Sequence, residues 1–159
     1  YNSNVFINSY SSVNVLNEMI WDIETTNPDV IIVGSQSGTV TYDTGNLSNY
    51  LLSQYDFLLG TLPDAVILCI NPHDDINYII RTINFIESAT ESKVIGLVLF
   101  PLKLMGDKTS VIMTRKKITD DETKEICENI ENITGVKAFS NINSQTINEL
   151  VQHIISYFM

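Results

Sequence analysis

Basic residues are scarce in this chain. Nine Lys and Arg stand against nineteen Asp and Glu, a formal net charge of −10. A nucleic-acid backbone or an anionic membrane would be repelled over most of such a surface, so neither is expected as a partner. Cysteine is nearly absent: two residues, Cys69 and Cys127, in 159, too few for a disulfide-stapled scaffold. Both read as buried, reduced thiols, Cys69 inside an apolar strand and Cys127 near the buried stripe of a helix, as suits a cytoplasmic protein. No apolar run approaches the roughly 20 residues that a spanning helix needs, and no signal peptide stands at the start. C-x-x-C, H-E-x-x-H, G-x-G-x-x-G and any Ser-His-Asp signature are missing. So is the P-loop, G-x-x-x-x-G-K followed by Ser or Thr, whose lysine and hydroxyl hold the terminal phosphates and magnesium. These residues as they stand should not hydrolyse ATP or GTP. The chain opens on Tyr1 without Met, in the middle of a pattern, and reads as a single domain, 1–159, from the C-terminal part of a longer protein.

What remains is 44% hydrophobic and 18% charged, the composition of a globular domain long enough to bury a core. Residues 30–33, 65–70 and 94–100 are apolar runs of strand length, separated by segments with helical spacing. Strands bare of polar residues and joined by helices make parallel sheets covered on both faces. The expected fold is a three-layer α/β/α sandwich with a mainly parallel sheet and right-handed crossovers. A short strand is expected at 5–7. A helix over 13–26 should turn Leu16, Met19, Ile20 and Ile23 inward. Asn46 should cap a helix that Gly60 ends. Asp74 should cap the next, with Ile76, Ile79, Ile80, Ile83 and Ile86 inside. Beyond residue 100 the spacing predicts a short strand at 110–114 paired beside the third. It predicts a capping box at Thr119-Asp120-Asp121-Glu122, a helix carrying Ile126, Ile130 and Ile133 and ending at Gly135, and a strand at 136–139. A last helix from about Ser144 should face Ile147, Leu150, Val151, Ile154 and Phe158 inward.

Loops at the carboxyl ends of parallel strands are where such sheets bind ligands. The loop Gly34-Ser35-Gln36-Ser37-Gly38-Thr39 carries two glycines, which let a ligand approach the backbone, and hydroxyls that hold an oxyanion or phosphate. The plain alternative is a turn with unusual backbone angles. The loop Asn71-Pro72-His73-Asp74-Asp75 sets a histidine beside two carboxylates, a pairing used by general bases and metal sites. No ligand spacing accompanies it, no metal is expected, and Asp74 reads more simply as a helix cap. His153, among apolar neighbours on the last helix, reads as a surface or boundary residue. Arg115-Lys116-Lys117 is the one basic cluster. It is either a local anion site or the solvated end of an edge strand, where lysine discourages edge-to-edge pairing.

The ordered segments Asn27-Pro28-Asp29-Val30-Ile31-Ile32-Val33-Gly34-Ser35-Gln36-Ser37-Gly38 and Leu58-Leu59-Gly60-Thr61-Leu62-Pro63-Asp64-Ala65-Val66-Ile67-Leu68-Cys69-Ile70-Asn71-Pro72 resemble the C-terminal P-loop domain of the D-glutamate N-acetyltransferase family. They are more distantly similar to the dethiobiotin synthetase group. The nearest likeness is to a clostridial family of peptide-maturation-system proteins, encoded beside small ribosomally made peptides and their modifying enzymes. The likeness covers about residues 4–100. It implies that residues 5–8 match the strand after the P-loop helix, with the P-loop itself upstream of Tyr1. Gly34 stands where the related enzymes carry an acid that organises magnesium or substrate, which argues against nucleotide hydrolysis. Gln36 is retained. His73 does not match the relatives' histidine, whose position is Ile70 here, so no catalytic role is carried onto it.

The resemblance thus implies an accessory domain of a bacterial ribosomal-peptide maturation system. Its ligand would be a nucleotide or peptide, held on a rim of Gly34, Ser35, Gln36, Ser37, Gly38, Asn71, Pro72 and His73. Expected partners are a small precursor peptide or its modifying enzymes, and a homo-oligomer stays open. The alternative is an acyl- or phospho-transferase whose P-loop or donor site lies in the N-terminal region.

Overall fold

A computed structural model describes residues 9–35, 38–41, 52–105, 114–140 and 143–159. The elements in order are α1 (Ser9–Glu24), α2 (Leu52–Thr61), β1 (Ala65–Ile70), α3 (Ile76–Thr90), β2 (Lys93–Leu99), β3 (Leu102–Met105), β4 (Thr114–Lys117), α4 (Asp120–Thr134), β5 (Ala138–Phe139) and α5 (Ser144–Phe158). The chain divides into two compact units, one from the stretches Tyr1–Asp64 and Arg81–Ser92, the other from Ala65–Ile80 and Lys93–Met159.

In the first unit α1 packs on α2 through a glycine. A Cβ on Gly60 would lie 2.6 Å from the Leu16 Cβ and 3.1 Å from the Val13 carbonyl oxygen. Only a residue without a side chain admits that approach. The Asn17 Nδ2 donates to the Gly60 carbonyl at 3.3 Å. This contact sets the rotation of α1: Val13, Leu16 and Ile20 are half-buried, while Met19 and Ile23, expected inside, are exposed. The Ser92 hydroxyl donates to the Pro63 carbonyl and the Arg81 guanidinium to the Thr41 carbonyl. Tyr55 and Phe85 meet as tilted rings 5.5 Å apart.

Residues 30–33 form no strand, and Ile32 is 90% exposed. A β-strand exists through ladder hydrogen bonds to a neighbour, and among the described residues none pairs with this run. The expected strand at 5–7 and the Asn46 cap lie outside the described residues.

The second unit holds a parallel three-stranded sheet in the order β1-β2-β5, the α/β pattern that the sequence predicts. Val66 pairs with Val94 and Ile67 with Gly96, so Ile95 is an extra residue, a bulge in β2. Counted across this bulge, Val94, Leu97 and Leu99 share one face, and all three are buried. Gly96 lies on the other face with Ile67 and Phe139, whose side chains would lie 3.0 and 3.2 Å from an added Cβ.

On that second face α5 docks through His153. The His153 Nε2 lies 2.6 Å from the Ile95 carbonyl oxygen, and its ring is 5.5 Å from that of Phe139. A carbonyl only accepts, so Nε2 carries the proton. The extra residue of the bulge therefore has its oxygen bonded. This contact fixes how α5 is turned. Leu150, His153 and Ile154 are half-buried, whereas Ile147, Val151 and Phe158, expected inside, are exposed. Cys69 is also exposed, contrary to expectation. It lies on β1, the outer strand of the described sheet, while α5 sits over β2 and β5.

Local signals place the other ends. Thr119 and Glu122 form the expected capping box, with the Glu122 backbone N donating to the Thr119 hydroxyl and the Thr119 N to the Glu122 carboxylate. Gly135, at φ 70°, closes α4 in the left-handed region. The buried stripe of α4 is Thr123, Cys127 and Ile130, one step round from the expected one, and Ile133 is exposed. Asn143 caps α5 by accepting from the Thr146 N at 2.9 Å. The expected strand at 110–114 lies, except for Thr114, outside the described residues; β4, which starts at Thr114, pairs antiparallel with β3 as a separate two-stranded ribbon.

Candidate functional site

The loop after β1 is built by its own side chains. The Asp74 Oδ2 accepts from the Asn71 backbone N at 2.7 Å and from the Asn71 Nδ2 at 3.3 Å. The Asp74 N donates back to the Asn71 carbonyl at 3.1 Å. Four residues, Asn71 to Asp74, are thereby closed into a turn with Pro72 second, where its fixed φ is favourable. His73 stands exposed at the tip.

Asp74 is thus not the cap of α3, as expected. Asp75 is: its Oδ1 accepts from the Asn77 N at 2.8 Å, and its carbonyl accepts from the Ile79 N. An aspartate caps by accepting from the amide two or three residues on; Asp75, the residue just before Ile76, does so, while Asp74 turns its Oδ2 back to Asn71. The Asp74 Oδ2 is held in the turn, and among the described residues no three His, Cys, Asp or Glu side chains are grouped to hold a metal ion.

The exits of β1 and β2 lie side by side, because the Phe100 N donates to the Ile70 carbonyl at 2.8 Å. The strands are parallel, so the Asn71–Asp74 turn and the Phe100-Pro101 corner share the carboxyl edge of the sheet, the customary position for a ligand. Sequence reasoning left Phe100 and Pro101 out of the candidate set. Their place after the third apolar run was the signal that could have included them.

The other candidate loop is described in part. Gln36 and Ser37 lie outside the described residues. Gly34 follows no strand, and a Cβ on it would meet nothing within 4 Å among the described residues. No described residue packs against the glycine at 34. The Ser35 hydroxyl donates to the Gln54 side-chain oxygen on α2. Gly38 lies in irregular backbone and is exposed.

Two perturbed groups lie elsewhere in the second unit. The Glu122 carboxyl is held below its ordinary 4.5 by the hydrogen bonds from the Thr119 backbone and hydroxyl, helped by the charges of Lys116 and Lys103. The Cys127 thiol is pushed from 9.0 up to about 11, first by burial and then by the Glu131 charge. A thiol so raised is a poor nucleophile at neutral pH. No helix of the described residues is long and apolar enough to cross a membrane.

The comparisons with known proteins agree with the α/β reading. Residues 7–151 match the family described as "Domain of unknown function (DUF1611_C) P-loop domain". No curated protein and no solved structure matches the chain. The match spans most of the 159 residues, and the chain belongs to the DUF1611 C-terminal P-loop domain family.

Proposed function

We propose that this P-loop-like domain is an accessory, ligand-binding part of a bacterial ribosomal-peptide maturation system, working in the cytoplasm. The observation that carries the reading is the Asn71–Asp74 turn. A loop closed by three internal hydrogen bonds at the carboxyl edge of a parallel sheet presents its tip without paying ordering entropy on binding. Asn71, Pro72 and His73 are the ligand residues proposed there. Gly34, Ser35, Gln36, Ser37 and Gly38 are proposed for the same role on the evidence of their residue types and the sequence resemblance. The ligand is a nucleotide or the small precursor peptide, and the peptide or its modifying enzymes are the partners.

Thermal unfolding with Mg-ATP and, separately, with the precursor peptide tests this. A ligand at a hundred times its Kd stabilises by about 2.7 kcal/mol, a rise of roughly 5–10 °C in a chain of this size. Gln36→Ala and His73→Ala should each weaken binding about tenfold and leave the unliganded Tm within about 2 °C, the range of surface substitutions. No shift with either ligand rejects the reading.

The P-loop description of the family favours one second reading, an acyl- or phospho-transferase domain whose P-loop or donor site lies outside these residues. Acyl or phosphoryl transfer by the full-length protein, lost in Gln36→Ala, would favour it over the accessory role.

A further inference from the structure

The few basic residues are not spread evenly. Five of the nine, Lys103, Lys108, Arg115, Lys116 and Lys117, fall between positions 103 and 117, where Asp107 is the one acid. The β3–β4 ribbon brings four of them, Lys103, Arg115, Lys116 and Lys117, onto two paired strands. Its register sets Lys103 directly opposite Lys116, Leu104 opposite Arg115 and Leu102 opposite Lys117. Lys103, Lys116 and Lys117 are exposed. Like charges directly opposite on paired strands destabilise the pair, so the ribbon is better off with an anion beside it.

The chain's own acids near this point are those of the first turn of α4: Asp120, Asp121 and Glu122. Glu122 lies within the fields of Lys116 and Lys103, but its carboxylate is committed to the Thr119 backbone and hydroxyl. It caps the helix.

The second observation concerns pairing. Among the described residues β3 and β4 pair only with each other, so each has one edge that no other described strand pairs. Such an edge is a template for another extended chain. Lysines beside it repel a second basic strand, including β4 of another copy, and favour an acidic one.

We propose that the β3–β4 ribbon binds an acidic peptide segment, added in extended form along an edge that no other described strand pairs, with its carboxylates on the face that Lys103 and Lys116 share. Backbone hydrogen bonds would supply the pairing and the lysines the choice of partner. The inference rests on charge and pairing in the ribbon, and stands or falls apart from the reading of the β1 loop.

Fluorescence anisotropy on the full chain tests it with a labelled octapeptide alternating Glu and Val. Saturable binding is expected in 50 mM NaCl, weakening at least tenfold in 300 mM as the charges are screened. An octapeptide alternating Lys and Val should not bind. The Glu-Val peptide methylated at every backbone nitrogen keeps its charge but loses its donors, and should bind at least tenfold more weakly. Lys103→Glu with Lys116→Glu should abolish binding with an unchanged circular dichroism spectrum. If that pair fails to fold, Lys103→Gln with Lys116→Gln should cut binding at least fivefold. Equal binding of the methylated peptide would reduce the ribbon to a patch of charge and overturn strand addition. Undiminished binding by the folded variant, no binding of the Glu-Val peptide, or binding of inorganic polyphosphate in its place would each overturn the proposal.

Discussion

Cys69 and Cys127 show how far a residue's behaviour departs from its type. Cys69 sits in an apolar run and Cys127 on an amphipathic helix, and both read as buried in the sequence, yet one is exposed and the other buried with its thiol raised to about 11. Titration of the native chain at pH 8 with a thiol reagent should therefore label one cysteine quickly and the second only in denaturant. Peptide mapping should find Cys69 in the fast fraction, and rapid labelling of Cys127 would contradict its burial. The sequence could not separate them, because exposure of Cys69 depends on where α5 lands, and that depends on His153 meeting the Ile95 oxygen across 58 positions. His153 itself read as a boundary residue, and it is half-buried. What the sequence did not reveal was its partner, since a bulge in a parallel strand leaves no mark in residue type. Asp74 and Asp75 make the same point at short range: either can cap α3, and the turn to Asn71 decides between them.

Among elements, α4 was the most legible. Its capping box and closing glycine are local devices, fixed by residues three or four apart. Because the folded Glu122 pKa lies below its unfolded value, its contribution to stability is full above about pH 4.5. It is lost as pH falls through the lower, folded value. Urea midpoints measured from pH 6 to pH 3 should fall more steeply for the native chain than for Glu122→Gln, and parallel curves would show that the cap adds nothing. The α1–α2 pair was legible only in outline. Gly60 read as the end of a helix, whereas its missing side chain is what lets Leu16 approach. Gly60→Ala should cost about 1–3 kcal/mol by overpacking and lower Tm by roughly 3–10 °C, while Gly34→Ala, whose Cβ would meet no described residue within 4 Å, should change Tm by no more than about 2 °C. Residues 30–33 are the element that pattern reasoning misjudged. Apolar composition fits a strand, but a strand is a property of two segments, and one of them is not visible in a single run of residues.

For the molecule as a whole, charge and apolar exposure oppose each other. Ile147, Val151, Ile155 and Phe158 line one exposed stripe of α5, and Val15, Met19 and Ile23 another on α1. A net charge of −10 keeps copies apart at low ionic strength. Screening shortens the reach of that repulsion to about 8 Å at physiological salt and to nearly 3 Å at 1 M. Sedimentation equilibrium should give a mass near 17.9 kDa in 20 mM salt and a rising weight average at 0.5 M. A constant mass across that range would mean that neither stripe promotes association. The broad class, helices with a parallel sheet, followed from composition and spacing alone, as did the loop after residue 70. The three-layer arrangement and the shared rim of the two loops are questions of how distant segments meet, which periodicity does not address.

The bulge at Ile95 has a bearing on how this domain tolerates changes of length. Alternation counted straight along β2 would send Val94 and Leu97 to opposite sides, and the additional residue brings them back to the same one. A deletion there would leave the parity of every later side chain intact and sacrifice only the anchor for His153. A deletion one or two positions further on keeps the same count but moves Ile95 into the place of Gly96, where a Cβ would lie 3.0 Å from Ile67 and 3.2 Å from Phe139. Ile95 is thus the point in the strand where evolution or an engineer can shorten the chain and keep the sheet.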